Sequence, residues 1–242
     1  MSRHPHVLEF VGLPGAGKTT LARRLTAGLA AEGIRCAAPR LERIDVPARG
    51  ARRFARGAHR VATYAATPVL SATVLRFGFS IRPLRPARAK WLRDVLDTVR
   101  GVASSAPDRE LILLDQGVLQ ALWSASLAGT LPPPAVVGRL VRRSTAAYGA
   151  RVAFLYLEVD TATAVSRIAG RSSSKSRFDR LPSQQTARLL ADELDRLERI
   201  LTSAARATCA PVLRLDGRAP VDDLCARSIE FVLEWLARRG TV

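Results

Sequence analysis

Short, continuous apolar runs alternate along the chain with stretches in which apolar residues recur every three or four positions. The first pattern is typical of strands buried in a parallel sheet, and the second is typical of helices. We predict strands over residues 6–12, 110–115, 151–159 and 210–217, and a poorly defined strand within 35–44. We predict helices over residues 19–31, 119–128, 161–170, 183–206 and 221–239, another after the prolines at 132–134, and a mainly helical stretch over 48–105. The alternation predicts an α/β fold with a mostly parallel sheet covered on both faces.

Glycine or aspartate stands at the end of the four well-defined strands. Gly12 and Asp115 close two of them, Asp160 follows the third, and Asp216 lies at the end of the last. Ligands of such sheets bind at the carboxyl ends of the strands. We therefore expect the chemistry of this chain at one edge of the sheet.

A glycine-rich loop follows the first predicted strand. Its residues are Gly12, Leu13, Pro14, Gly15, Ala16, Gly17, Lys18, Thr19 and Thr20, and the first eight fit the pattern G-x-x-x-x-G-K-[ST]. Glycines let the backbone turn so that successive N–H groups point at phosphate oxygens, and the following helix adds its positive dipole end. In this pattern Lys18 reaches the β- and γ-phosphates and the Thr19 hydroxyl binds Mg²⁺. We expect ATP or GTP to bind here.

A carboxylate follows the second clear strand. Asp115 comes directly after the apolar run Leu111–Leu114. A carboxylate at such a strand end can hold Mg²⁺ through water, as the second acidic motif of these enzymes does. We expect Thr19 and Asp115 to organise the metal.

A basic segment follows the strand at 151–159. Arg167 and Arg171 are four positions apart, which predicts one helix face, and Lys175, Arg177 and Arg180 follow in a serine-rich loop. Mobile cations that close over a nucleotide neutralise the transferring phosphoryl group and exclude water. We expect residues 171–182 to form a lid that brings Arg167, Arg171 and Arg177 to the phosphoryl group. A solvated basic loop is the alternative.

The composition narrows the class of protein. The 242 residues are 48% hydrophobic, which is enough for a single domain around one core. The three cysteines show no metal spacing, and no secretory signal is visible, so we expect a cytoplasmic protein.

The N-K-x-D and D-x-x-G motifs of GTPase switch proteins are absent. The uncharged run at 61–75 is too short for a confident membrane span, and we interpret it as a buried helix or a lobe over a pocket.

Three segments, GLPGAGKTT, LILLDQG and RIAGRSSSKSRFD, carry a resemblance. Together they resemble the P-loop kinases of the nucleoside and nucleoside-monophosphate kinase type, including thymidylate kinase-like proteins. The resemblance covers most of the chain. It implies a three-layer P-loop fold with a five-stranded parallel sheet in the order 2-3-1-4-5, an arginine-bearing lid, and ATP and Mg²⁺ as cofactors. It also implies that the loop beginning at Asp216 borders the adenine.

One departure from the family concerns the acceptor. Thymidylate kinase-like proteins carry Asp-Arg after the third strand, and the arginine helps to hold the acceptor phosphate, whereas this chain has Asp115-Gln116. Glutamine makes no charge-assisted phosphate contact but hydrogen-bonds neutral polar groups. We therefore expect a hydroxyl acceptor, such as a nucleoside or another polyol-like small molecule. A nucleoside-monophosphate acceptor is the alternative, because an arginine such as Arg100 could replace the missing clamp.

A hydroxyl acceptor also needs a general base. In deoxynucleoside kinases a glutamate just after the second strand serves, and Glu42 and Asp45 lie in the matching region. Asp115 is a rival candidate. We place the acceptor in the helical lobe over 48–105, with Gln116, Glu42 and Arg100 as candidate contacts.

The formal net charge of +17 supports a rival function. It would suit a nucleic-acid-binding NTPase. Because no nucleic-acid motif is recognised and aromatic residues make up only 5% of the chain, we expect a small-molecule partner instead. The basic stretch over residues 48–60 leaves contact with an anionic membrane surface as a lesser alternative. The sequence is also compatible with a homodimer.

Overall fold

The computed structural model describes residues 5–38, 68–81, 87–105, 109–127, 129–171 and 178–238. The strands are β1 (His6–Gly12), β2 (Cys36–Ala37), β3 (Leu111–Leu114), β4 (Arg151–Glu158) and β5 (Val212–Asp216). The helices are α1 (Lys18–Ala31), α2 (Pro68–Ser80), α3 (Ala87–Ser105), α4 (Val118–Ser126), α5 (Pro134–Tyr148), α6 (Thr161–Ala169), α7 (Ser183–Thr208) and α8 (Val221–Ala237), with a short 3₁₀ turn at Phe178–Arg180.

The strands form one parallel sheet in the order β2-β3-β1-β4-β5. β1 is the central strand, with His6 paired to Leu111 of β3 and to Arg151 of β4. This register brings the carboxyl ends of β1, β3 and β4 to the same edge of the sheet. The predicted order 2-3-1-4-5 is confirmed.

The sheet is covered on both faces. Every residue of β1 is buried, and so are residues 152–157 of β4. Because successive side chains of a strand point to opposite faces, such strands must have packing partners on each side. α1 packs against α8, while α5 packs against α7, α2 and α3. The predicted three-layer α/β fold is confirmed.

Spacing along the helices explains how they pack. In α1 the buried residues include Leu21, Leu25 and Leu29, which recur every four positions and form one stripe against the sheet. In the long helix α7 the buried positions Leu190, Leu197 and Leu201 are seven and four positions apart, which places them on one face, and charged residues fill the opposite face. Leucine stripes therefore supply much of the core, as expected of a chain with few aromatic residues.

Some boundaries differ from the predicted ones. β2 is confined to Cys36–Ala37, and α6 ends at Ala169, so that Arg171 lies just beyond the helix rather than on one face with Arg167. Of the uncharged run at 61–75, the described part belongs to α2, where Leu70 is buried but Leu75 is exposed. No helix within the described ranges is long and apolar enough to cross a bilayer. The division into a lobe over 48–105 and a lid over 171–182 remains a prediction.

Candidate phosphate-binding site

The glycine loop joins β1 to α1 and lies against α6. Gly15 and Gly17 have positive φ angles of 90° and 96°, which favour glycine. A Cβ on Gly15 would come within 2.5 Å of the Ala164 carbonyl oxygen in α6, so that the loop has no room for a side chain there. Gly17 is the N-cap of α1 and offers no side-chain cap. The first N–H groups of α1 are thus placed to bind an anion.

Lys18 lies folded onto the loop that carries it. Its Nζ donates to the carbonyl oxygens of Gly12 at 2.7 Å and Leu13 at 2.9 Å, and the side chain is largely buried. Burial and, to a smaller extent, the charge of Arg171 lower the pKa of Lys18 to about 7, although the charge of Asp115 opposes both. The amine is therefore partly neutral near pH 7, and a phosphate group beside it would favour its charged form.

Thr19 and Asp115 meet at the predicted metal site. The Thr19 Oγ1 donates to Asp115 Oδ2 at 3.2 Å. Asp115 is only 2% exposed, and its Oδ1 has no hydrogen-bond partner among the described residues. A buried carboxylate oxygen without a donor, beside a hydroxyl group, suits a hard cation such as Mg²⁺. The residues present fit the metal that the sequence predicts.

No larger cluster of metal ligands occurs in the described part of the chain. Mg²⁺ is usually held by one or two protein groups together with water and substrate phosphates. Thr19 and Asp115 can supply the two protein groups of such a site, and a complete set of protein ligands is not required.

The predicted lid arginines occupy different positions. Arg167, on α6, donates its Nη1 to the Gly217 carbonyl oxygen at 2.8 Å. Arg171 is exposed, and its charge acts on Lys18. Arg177 lies outside the described residues. Arg167 thus joins α6 to the loop after β5, while Arg171 is placed to act on the phosphate loop.

The loop after β5 borders the phosphate loop through its backbone. A Cβ on Gly217 would lie 3.1 Å from the Ala16 carbonyl oxygen and 2.7 Å from a methyl group of Val159. The Asp216 carboxylate accepts from Arg218 Nη2 at 2.8 Å and Nε at 2.9 Å, which holds the pKa of Asp216 at about 2. A role for Asp216 at the nucleotide stays a prediction, because its side chain is engaged with Arg218.

Several predicted acceptor residues fall outside the description. Glu42 and Asp45 lie in the range 39–67, which the structure does not describe, and the side chain of Arg100 on α3 is not described either. Gln116 is half-buried and directly follows Asp115. The assignment of Gln116 to the acceptor is compatible with this position and remains a prediction.

Sequence analysis missed two polar residues near this edge. Glu9 in β1 is 2% exposed, and its Oε1 accepts from the Leu119 N–H of α4 at 2.6 Å. Gln120 is 7% exposed, and its Oε1 has no hydrogen-bond partner within the described ranges. The available signal for Glu9 was a single charged residue inside the apolar run HVLEFVG. Gln120 gave no such signal.

Comparisons with known proteins place this site in a family. A family model described as AAA domain matches residues 7–200, which include the glycine loop, Asp115 and α6. Among solved structures, deoxyadenosine kinase from M. mycoides, solved with products dCMP and a flexible dCDP bound, covers 96% of this chain and 99% of its own. The identity is 14% and the TM-score 0.47, so this similarity carries no conclusion about substrate. No curated protein matches the sequence.

The family match covers most of the chain, and its range contains the phosphate loop and the predicted metal pair. Together with the sheet order, it confirms the resemblance to P-loop kinases of the nucleoside and nucleotide type; a thymidylate-like specificity is not part of that confirmation. The chain belongs to the AAA domain family.

Proposed function

We propose that the protein is a cytoplasmic, Mg²⁺-dependent kinase that transfers the γ-phosphoryl group of ATP to a hydroxyl group of a nucleoside-like or other polyol small molecule. The observation that carries the proposal is the Thr19–Asp115 contact at the start of α1, next to Lys18 in the phosphate loop. This is the set of groups that phosphoryl transfer from a nucleotide requires.

The phosphate loop provides binding and charge. The N–H groups that open α1 bind the β- and γ-phosphates, and Lys18 exchanges its two carbonyl partners for phosphate oxygens. When bound, Mg²⁺ neutralises the phosphate oxygens and is held by Thr19 and Asp115. Because Asp115 is buried, its charge is little screened by water, and its hold on a cation is correspondingly strong.

The arginines act on the other side of the phosphates. Arg171 already places its charge near Lys18, and Arg177 belongs to the proposed lid. Arg167 reaches the phosphoryl group only by leaving the Gly217 carbonyl oxygen, to which it donates at 2.8 Å. We therefore assign Arg171 to the transferring phosphoryl group directly, and we assign Arg167 the same role after lid closure.

The acceptor chemistry rests on Gln116. The acceptor oxygen forms a bond to the γ-phosphorus, the bond from that phosphorus to the β-phosphate oxygen breaks, and the hydroxyl proton passes to a base. Gln116, adjacent to the metal-site Asp115, hydrogen-bonds a neutral acceptor group and supplies no charge for a second phosphate. Glu42 or Asp45 is the proposed base. A nucleoside-monophosphate acceptor, which needs no base, is the alternative.

The test is ADP release from Mg·ATP in the presence of nucleosides, nucleoside monophosphates and polyol-like alcohols. We expect one hydroxyl class to stimulate release, and Lys18→Ala to abolish the stimulation. Stimulation by monophosphates alone would overturn the assignment of Gln116. Failure of every small molecule, with stimulation by DNA or RNA, would overturn the kinase proposal itself.

A surface groove favours a second candidate function, nucleic-acid binding. The groove lies between α5 and α7, has a volume of about 550 Å³, and is lined by Arg139, Arg142, Arg199 and Arg206. Its one acidic residue, Glu198, is paired with Arg214. Binding of DNA here should weaken steeply between low and moderate salt. If the double variant Arg142→Ala, Arg206→Ala still bound DNA as tightly as wild type, this groove would be excluded as the DNA-binding site.

A further inference from the structure

A buried acid in the central strand is unexplained by the proposed chemistry. Glu9 lies in the middle of β1, paired with Leu114 of β3 on one side and Phe154 of β4 on the other. Its neighbours Leu8 and Phe10 are fully buried. Placing a carboxyl group in such a core is costly unless hydrogen bonds compensate. Burial raises the pKa of Glu9 to about 8, and the N–H groups of residues 118–120 act against that rise.

Within the described ranges, the hydrogen bonds of Glu9 go to the start of α4. Its Oε1 accepts from the Leu119 N–H at 2.6 Å and lies 3.4 Å from the Gln120 nitrogen. The N-cap of α4 is Gly117, which offers no side-chain cap. The first N–H groups of a helix need an acceptor, and a carboxyl oxygen can serve as one. Glu9 therefore caps α4 from a different element of the fold.

The turn before α4 is pressed against the same carboxyl group. A Cβ on Gly117 would lie 2.3 Å from Glu9 Cδ and 2.5 Å from its Oε2, which is far inside contact distance. Any larger residue at 117 would force the Glu9 carboxyl group to move. Asp115 stands two residues before this contact, and Gln116 lies between them.

We infer that Glu9 is a positioning residue that fixes the Asp115–Gln116–Gly117 turn onto β1, the strand that leads into the phosphate loop. Thr19 follows β1 across the loop and Asp115 follows β3, so the two metal-binding groups come from separate elements. Glu9 joins these elements through the contact with Gly117 and the cap on α4. The inference rests on the proposed function, since it concerns the geometry of the same metal site.

The test is the effect of Mg²⁺ on ATP affinity, measured by calorimetry with Mg²⁺ and again with EDTA. Outer-shell groups that hold metal ligands typically change metal affinity by about 10- to 100-fold when removed. We expect Glu9→Leu to reduce the Mg²⁺ enhancement about tenfold or more, with ATP affinity in EDTA unchanged. Glu9→Gln, whose amide oxygen can still accept from the α4 N–H groups, should restore the enhancement.

Two further variants keep the test decisive if Glu9→Leu fails to fold. Gly117→Ala forces the carboxyl group away from its partners and should reproduce the loss. Gly138→Ala is the control, because its Cβ would meet Ala207 at 2.9 Å on the α5–α7 contact and should lower stability without changing the Mg²⁺ enhancement. An unchanged enhancement in Glu9→Leu and Gly117→Ala would overturn the inference, as would equal losses with and without Mg²⁺. Wild type that does not bind ATP would instead overturn the proposed function.

Discussion

The buried carboxyl group of Glu9 gives a sharp prediction about stability and pH. Its pKa is about 8 in the folded protein, against an ordinary value of 4.5. Between these values the folded state holds a proton that the unfolded state has released, so the stability that Glu9 contributes is fully present below pH 4.5 and is lost as the pH rises towards 8. Glu9→Gln has no ionisable group there and should lack this loss.

The size of the effect follows from linkage. One bound proton changes the free energy of unfolding by about 1.4 kcal/mol per pH unit within the window. The stability of Glu9→Gln relative to wild type should therefore rise by about 3 kcal/mol between about pH 5.5 and about pH 7.5. Whichever of the two proteins is the more stable at low pH, the stability of Glu9→Gln minus that of wild type must increase as the pH rises.

Other titrating groups cancel in the comparison. The pKa of Lys18 is lowered to about 7, so Lys18 makes stability rise with pH above neutrality, opposite in sign to Glu9. Both proteins contain Lys18, and subtracting their curves removes it. The assay is urea unfolding followed by circular dichroism across this pH range. Parallel stability curves for wild type and Glu9→Gln would refute the reasoning.

Four further predictions concern the site and the thiols. Asp115→Asn should lower Mg²⁺-dependent ATP affinity about tenfold or more while leaving the affinity in EDTA similar, as titration calorimetry would show. Because bound phosphates raise the Lys18 pKa from about 7, ATP binding near pH 8 should be accompanied by uptake of a proton at Lys18. Calorimetry in two buffers should detect this proton uptake, and Lys18→Met should abolish it. Gly15→Ala, with a Cβ 2.5 Å from the Ala164 oxygen, should destabilise the fold by about 1–3 kcal/mol in thermal unfolding and weaken ATP binding. Exposed Cys209 should react with a thiol reagent well before Cys36, whose pKa burial raises to about 11; equal rates would contradict the placement of Cys36.

The fold and the phosphate loop were predictable because their signals are local. Apolar runs and helical spacing set the elements, and G-x-x-x-x-G-K-T has a specific backbone requirement that the positive φ of Gly15 and Gly17 confirms. The pairing of Thr19 with Asp115 could be expected as well, because parallel strands end at one edge. The order of the strands was implied by the family resemblance, because hydrophobic periodicity predicts where strands lie in the sequence but not which strands are neighbours in the sheet.

Contacts between distant elements were not predictable. Glu9 and Leu119 are 110 positions apart, and nothing in the sequence near either indicates their hydrogen bond. The engagement of Arg167 with Gly217 and of Asp216 with Arg218 depends on where α6 and the loop after β5 come to lie. An arginine-rich chain offers many alternative partners, so the spacing of arginines alone could not choose among them. Similarly, the end of α6 at Ala169 removed Arg171 from the predicted helix face.

The most direct test of the kinase account is phosphorus NMR of the product formed from Mg·ATP and the acceptor that best stimulates ADP release. Transfer to a hydroxyl group predicts one new phosphomonoester signal in amounts equal to the ADP formed, and none with Lys18→Ala. A new diphosphate signal in addition to those of ADP would show that the acceptor is a phosphate and that the assignment of Gln116 is wrong. Inorganic phosphate alone would show transfer to water, and it would contradict the claim that this site is a kinase.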